Sequence, residues 1–452
     1  MKKSYEIDMC NGGLWGKILM FSFPLMLSGI LQLLFNAADI VVVGRFAGSH
    51  EMAAVGATGA LINLLVNVFI GLSIGTNVLT ARFCGAGDKR GVEDTVHTSV
   101  LISVISGGIL LVMGLLAARP MLEFMGTPEE VLDYAVQYMK IYFMGMPVML
   151  LYNFGAAILR AVGDTKRPLY FLTASGVINV IFNMIFVIVF HLGVKGVALA
   201  TVISQTIAAV LVVRCLMKTD GVYRLEIRKL AIHKKVLIQM LQVGLPAGIQ
   251  GAVFSASNVL IQSAMNSFGA IAVAGCTAAG NLEGFVYTSM NAVSQTAMSF
   301  TGQNFGAGKY KRIDKIMVCC MMVVTVTGLI VGGLMVLFGK QLLGIYSADP
   351  EVVRYGLIRM RIICLPYFLC GIMEVIVGSV RGMGHSVVPM IVALLGACGL
   401  RVVWIFTVFA MNHTIEILYL SYPVTWTVTA AVQFCYWMKV RSSAGRARTK
   451  VG

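Results

Sequence analysis

Residues 23–43 read FPLMLSGILQLLFNAADIVVV, an apolar run in which Asp39 is the single charged residue. A helix rises about 1.5 Å per residue and the hydrocarbon core of a bilayer is about 30 Å thick, so this run is long enough to cross a membrane. A charged side chain costs about 3 kcal/mol at the centre of a bilayer, and such residues mark ion and substrate pathways. Asp39 is therefore the first candidate functional residue.

Eleven further apolar runs of similar length follow, separated by short polar loops. Of the 452 residues, 58% are hydrophobic and 12% are charged, whereas a soluble domain averages about 45–50% apolar and about 25% charged residues. This composition excludes a soluble enzyme and a disordered chain. Because the runs lack the alternation of barrel strands, we predict an all-α integral membrane protein with about twelve transmembrane helices. The predicted spans are residues 17–43, 53–79, 95–118, 132–156, 168–191, 195–217, 236–264, 270–298, 315–338, 353–379, 387–411 and 414–438.

The basic residues are distributed unevenly over the loops. If the N-terminus is cytoplasmic, most of the 35 Lys and Arg residues fall on the cytoplasmic side, and the outer loops hold Arg45, Arg119, Lys195 and Lys340. This positive-inside pattern predicts a multi-pass plasma-membrane protein with both termini in the cytoplasm. The net charge of +15 then reflects membrane topology, and we expect the lipid bilayer, not nucleic acid, as the partner of the basic patches.

The two halves of the chain repeat each other. Prolines recur in the second half at nearly constant sequence offsets of 222, 222, 219 and 221, in the pairs Pro24/Pro246, Pro128/Pro350, Pro147/Pro366 and Pro168/Pro389. Six helices in each half place both halves in the same orientation, as parallel repeats of the kind that build alternating-access transporters. A duplicated membrane scaffold without transport is the alternative. The predicted segments are a lead-in at 1–16, an N-terminal six-helix bundle at 17–217, a basic connector at 218–235, a C-terminal bundle at 236–438 and a basic tail at 439–452.

Polar residues of the first half recur at helical spacing around Asp39. Asn36 lies three residues before it, Asn179 and Asn183 are four residues apart on the fifth span, and Thr201 lies on the sixth. Amide and hydroxyl groups bond to a carboxylate or join it in coordinating a small cation. If these faces converge, the five residues form a cation-coupling site. The alternative is that the Asn and Thr residues only join one helix to another.

Two acids of the second half, Glu283 and Glu374, also lie well inside apolar runs. Tyr287 and Asn291 follow Glu283 at intervals of four, so they share a face that we expect to line a substrate cavity. We assign Asn258, the repeat counterpart of Asn36, to the same cavity. Each acid is either a second proton or cation site or a structural acid paired with an arginine.

Catalytic and metal-binding patterns are missing from the sequence. No HExxH or Ser/His/Asp constellation occurs, and the ten cysteines have no CxxC spacing. We therefore predict that the protein is not an enzyme and needs no cofactor.

Several motifs together resemble the MATE (multidrug and toxic compound extrusion) family, within the wider group of lipid and polysaccharide flippases. They are Phe23-Pro24 with Asp39, Leu159-Arg-Ala-Val-Gly-Asp-Thr-Lys-Arg-Pro168, the run Gly193–Ser204, Gly244-Leu-Pro246 and Val380-Arg-Gly-Met-Gly384. The resemblance implies two six-helix bundles around a V-shaped cavity and export of organic cations or drugs in exchange for H⁺ or Na⁺.

The resemblance also implies roles for individual residues. Asp39 matches the family's coupling-cation site, with Asn179 and Thr201 helping to form it, so these three would also hold Na⁺. The chain departs from some members of the family at Asn183, where they carry a second acid, and near Phe254, where they carry a Glu on the seventh helix. These departures leave the coupling ion open between H⁺ and Na⁺.

We therefore predict a monomeric, secondary active multidrug antiporter that works by alternating access. A flippase or exporter of a lipid-linked oligosaccharide is the first alternative, and it would need a strongly basic cavity. A passive channel and a non-transporting scaffold are the others.

Overall fold

The computed structural model describes residues 5–449, with the side chains of Ser49, Ala60 and residues 444–449 left aside. Within these residues the chain is helical and contains no strand. The α-helices are α1 (Trp15–Phe46), α2 (Ser49–Ala86), α3 (Lys89–Phe124), α4 (Glu129–Met144), α5 (Met146–Ala161), α6 (Lys166–Met184), α7 (Gly193–Lys218), α8 (Lys234–Asn266), α9 (Ala270–Gly306), α10 (Tyr310–Leu337), α11 (Gly339–Gly344), α12 (Pro350–Cys364), α13 (Tyr367–Gly382), α14 (Val387–Ala393), α15 (Leu400–Trp404) and α16 (Ile415–Thr449).

The helices have the lengths that a multi-pass membrane protein requires. Among the described residues, eight helical segments are long and apolar enough to cross a bilayer, and ten are if each of two bent helix pairs counts as one span. Two more helices, α9 and α16, have 37 and 35 residues and are long enough to span, although they are more polar. These twelve helical passes coincide with the predicted spans and confirm the predicted fold class.

Two of the predicted spans are broken rather than continuous. The span at 132–156 consists of α4 and α5, which meet at 49°, and the span at 353–379 consists of α12 and α13, which meet at 43°. Pro147 and Pro366 lie at these breaks, where proline lacks the N–H that a helix needs and its ring crowds the preceding turn. Since these prolines are a repeat pair, both halves bend at the equivalent place.

Three segments of π-helix interrupt the predicted fifth and eleventh spans. Ile185–Val189 ends the helix begun by α6, while Leu394–Gly399 and Ile405–Phe409 flank the short α15. A π turn holds more residues than an α turn and is frequent at functional sites. The second half carries the larger share of this irregular helix.

Two compact units divide the described chain. One unit is Leu31–Ala252 with the chain start up to Glu6, and the other is Ile7–Ile30 with the chain from Val253 onward. The division cuts α1 after Ile30 and α8 after Ala252, which are equivalent positions in the sequence repeat. Compactness therefore assigns the first half of α1 to the second unit and the first half of α8 to the first unit. The predicted bundles at 17–217 and 236–438 follow the sequence repeat and stay a prediction.

The connector between the sequence halves is anchored to the first unit. Tyr223 and Leu225 are 2% and 3% exposed, and the Leu225 amide donates to the Leu216 carbonyl at 3.0 Å. The Tyr223 hydroxyl donates to a Glu6 carboxylate oxygen at 2.6 Å, and burial raises the pKa of this phenol to about 12. The connector, predicted from its basic residues, thus also contributes apolar anchors.

Candidate functional site

A close contact between α1 and α6 positions Asp39. The ring of Phe35 on α1 lies over Gly176 on α6, in the space that a Cβ atom at Gly176 would occupy. Asp39 is one turn beyond Phe35, and Asn183 is two turns beyond Gly176. Their side chains therefore lie on the facing surfaces of the two helices, and glycine at residue 176 allows them to meet.

A chain of hydrogen bonds links Asp39 to two further helices. The Asn183 side-chain amide donates to the Asp39 carboxylate and also to Asn179 Oδ1, the latter at 3.3 Å. Asn179 Nδ2 in turn donates to Thr201 Oγ1 on α7 at 3.4 Å. The structure thus brings together four of the five residues of the predicted cation-coupling site. The fifth, Asn36, is exposed and makes no hydrogen bond within the described part of the chain.

The charge of Asp39 has no basic partner among residues 5–449. Burial and the Asn183 amide are the influences that act on its carboxyl group, and no Lys, Arg or His is among them. Asn183 Oδ1 is fully enclosed and accepts no hydrogen bond. Leaving such an acceptor unsatisfied costs about 1–3 kcal/mol, so a proton donor or a small cation placed beside Asp39 would stabilise the cluster. The oxygens of Asp39 and Asn183 fit a bound proton or Na⁺.

Two tyrosines that sequence reasoning missed complete this site. Tyr138 and Tyr142 on α4 interact electrostatically with Asp39, and their rings stack with centroids 5.9 Å apart. Their spacing of four residues was visible in the sequence, but the bend between α4 and α5 that orients α4 was not. They place flat aromatic surface near the carboxylate.

A further missed residue, Glu51 on α2, fixes the start of α7. Its Oε2 accepts from the Val194 amide at 2.6 Å, beside Gly193, whose φ of 54° lies in the left-handed region. A carboxylate at a helix N-terminus satisfies a free N–H and complements the helix dipole. Since α7 carries Thr201, Glu51 holds one wall of the cluster in place.

In the second unit, Glu283 is paired with an arginine. Both of its carboxylate oxygens accept from the Arg359 guanidinium, at 2.7 and 2.8 Å. Arg359 also donates to the Tyr419 hydroxyl at 3.3 Å and lies over its ring. This arrangement is the structural alternative for Glu283, because its charge is already balanced.

Glu374 is 7% exposed and its charge interacts with that of Arg381. Its backbone carbonyl accepts from the Ser294 hydroxyl at 2.7 Å, which ties α13 to α9. Glu374 therefore lies near a base, whereas Asp39 does not.

The predicted polar face of α9 is present and extends further than expected. Tyr287 is 41% exposed and bonds to Asn291, whose Oδ1 accepts from Gln295 at 2.8 Å. Asn258 on α8 is exposed and makes no hydrogen bond within the described residues. The structure thus joins Tyr287 and Asn291 but not Asn258.

The family model described as MatE matches residues 24–185 and again residues 246–407. The chain belongs to the MatE family. The second MatE match begins and ends at the same sequence offset from the first as Pro246 has from Pro24. With its spanning helices, this MatE protein is a multi-pass membrane protein.

Curated relatives match nearly the whole of this MatE chain. The probable multidrug resistance protein YoeA of Bacillus subtilis is 27% identical over 441 residues, which are 94% of each protein. The multidrug export protein MepA of Staphylococcus saprophyticus is 23% identical over 417 residues, covering 92% of this chain and 90% of MepA. Among solved structures, a MOP superfamily transporter from Pyrococcus furiosus has the same fold. Its TM-score is 0.91 at 22% identity, over 98% of this chain and 100% of that chain.

Proposed function

We propose that the protein is a secondary active multidrug antiporter, which exports organic cations or amphipathic drugs in exchange for H⁺ or Na⁺. The observation that carries this proposal is the carboxylate of Asp39, which has no basic partner within the described chain. The names of YoeA and MepA support the multidrug part of the proposal.

The proposed mechanism begins at the Asp39 carboxylate. When a proton or Na⁺ binds, the negative charge is neutralised and the unsatisfied Asn183 oxygen gains a partner. When the cation leaves, the carboxylate is again free to attract a positively charged drug. Cation and drug are then coupled if each favours a different conformation, because a ligand shifts an equilibrium only by its differential affinity for the two states.

Transport in proteoliposomes tests the proposal. A fluorescent cationic dye is followed while a pH gradient and a Na⁺ gradient are imposed separately. Coupling free energies of about 1–3 kcal/mol correspond to roughly 5–150-fold effects, so Asp39→Asn is expected to lower gradient-driven flux at least about fivefold. The matched control is Glu416→Gln, an exposed acid at the start of α16. Full flux in the Asp39 variant would refute the role of this carboxylate.

The same assay separates the alternative functions. A passive channel would move the dye equally well without any gradient. A lipid-linked oligosaccharide flippase would move a fluorescent lipid-linked saccharide and leave the dye where it is. We further propose that the protein acts as a monomer in the plasma membrane with both termini in the cytoplasm, as the positive-inside pattern predicts.

A further inference from the structure

The second half contains a counterpart of the Asn179–Thr201 contact. Arg401 has the same sequence offset from Asn179 as the end of the second family match has from the end of the first. Its Nε donates to Thr425 Oγ1 on α16 at 3.3 Å, as Asn179 donates to Thr201 on α7. The offset is one position shorter at Pro168/Pro389, and the intervening π segment Leu394–Gly399 accommodates the extra residue. A permanent cation therefore occupies the place of a neutral amide.

Arg401 is 5% exposed, and within the described chain it has no carboxylate partner. Its guanidinium lies over the ring of Tyr422, 4.0 Å from the centroid, and 5.9 Å from the centroid of Trp426. Ring faces attract a cation but carry no net charge, so they offset the cost of burial only in part. Unpaired charge within a membrane protein marks a functional site by default.

The donors of Arg401 are largely unused. A guanidinium has five N–H groups, and only the one on Nε has a hydrogen-bond partner among residues 5–449. The two terminal nitrogens are not among the fully enclosed polar atoms that lack a partner, so they reach accessible surface. They form the fork that accepts a carboxylate through two parallel hydrogen bonds.

We propose that Arg401 forms an anion subsite for the carboxylate of an aromatic, amphipathic ligand. The two terminal nitrogens bind the carboxylate, and the rings of Tyr422 and Trp426 contact the flat part of the ligand. The inference rests on the proposed export function and extends it, since it adds aromatic carboxylates and zwitterions to its substrates. Thus the repeat places a cation-accepting cluster in the first unit and an anion-accepting one in the second.

Dye binding to the detergent-solubilised full-length protein tests this subsite without any ion gradient. The two probes are a rhodamine that carries a free carboxyl group and its methyl ester, which share one fluorophore. Loss of a charged hydrogen-bonding partner is expected to raise the Kd of the acid dye about tenfold or more in Arg401→Gln, and to change the Kd of the ester less than about twofold. Arg401→Lys, which keeps the charge but not the fork, should fall between. The matched control is Arg361→Gln, an exposed arginine of the same unit.

A measurement on the unaltered protein covers the case in which the Arg401 variants do not fold. Naphthoate should displace the acid dye, whereas naphthylmethanol should not. The proposal is overturned if both compounds compete equally or if chloride displaces the dye as well as naphthoate does. Equal losses for acid and ester dyes in Arg401→Gln would likewise assign a purely structural role to the arginine. Because binding is measured without a gradient, a failure of cation coupling leaves this result unaffected.

Discussion

The buried pair of Glu283 and Arg359 gives a sharp test of whether this acid is structural or functional. Their side chains are 8% and 14% exposed, and two hydrogen bonds of 2.7 and 2.8 Å join them. Removing one partner of a buried ion pair leaves the other charge uncompensated and typically costs about 3–5 kcal/mol. Glu283→Gln should therefore lower the free energy of unfolding by about that amount. Replacing both residues with Met should recover most of the loss, because no unpaired charge is then left behind.

Denaturant unfolding in detergent micelles measures these differences, and the chain supplies a matched control. Glu351 and Arg354 form an exposed ion pair on α12, the helix that also carries Arg359, at 2.9 Å with side chains 55% and 56% exposed. Because exposed pairs are worth about 0–1 kcal/mol, Glu351→Gln should shift the midpoint little. Suppose instead that Glu283→Gln unfolds at the midpoint of this control and yet has lost dye transport. The acid would then act in transport, and the structural interpretation would be wrong.

Two further predictions concern the first unit. Gly176→Leu should displace the Phe35 ring, cost about 1–3 kcal/mol and reduce gradient-driven dye flux, because Asp39 and Asn183 would separate; flux that stays normal, or that Phe35→Ala fails to restore in part, contradicts this account. Glu51→Gln should keep a hydrogen bond to the start of α7 but lose its charge, at a cost of about 0.3–1 kcal/mol in unfolding experiments, and a loss above that range would mean that the carboxylate has another role.

The sequence predicted the helices and the repeat well because both depend on patterns that are local or periodic. Apolar run length placed the spans, and the prolines placed the repeat. It also grouped Asp39 with Asn179, Asn183 and Thr201, since each pair on one helix had helical spacing. The sequence could not place Tyr138 near the carboxylate, because that proximity depends on how α4 packs after the bend at Pro147.

The pairing of the second-half acids was also beyond the sequence. Glu283 and Arg359 are separated by 76 residues, and nothing in their local spacing indicates that two helices bring them into contact. Arg401 was noted only as a basic residue inside a span, because its significance depends on the rings and the missing carboxylate around it. Charge balance within a membrane is a property of the packed helices.

The two halves have diverged most where charge enters the membrane. The repeat position of Asp39 is held by Ile261, which is 3% exposed in the core of the second unit, so no carboxylate can act there. Conversely, the position of Asn179 is held by Arg401, a charge that never leaves at physiological pH. A duplicated scaffold with identical sites would respond to one ligand in both halves. Because these sites differ in sign, each half can respond to a different ligand, which exchange of a cation for a drug requires.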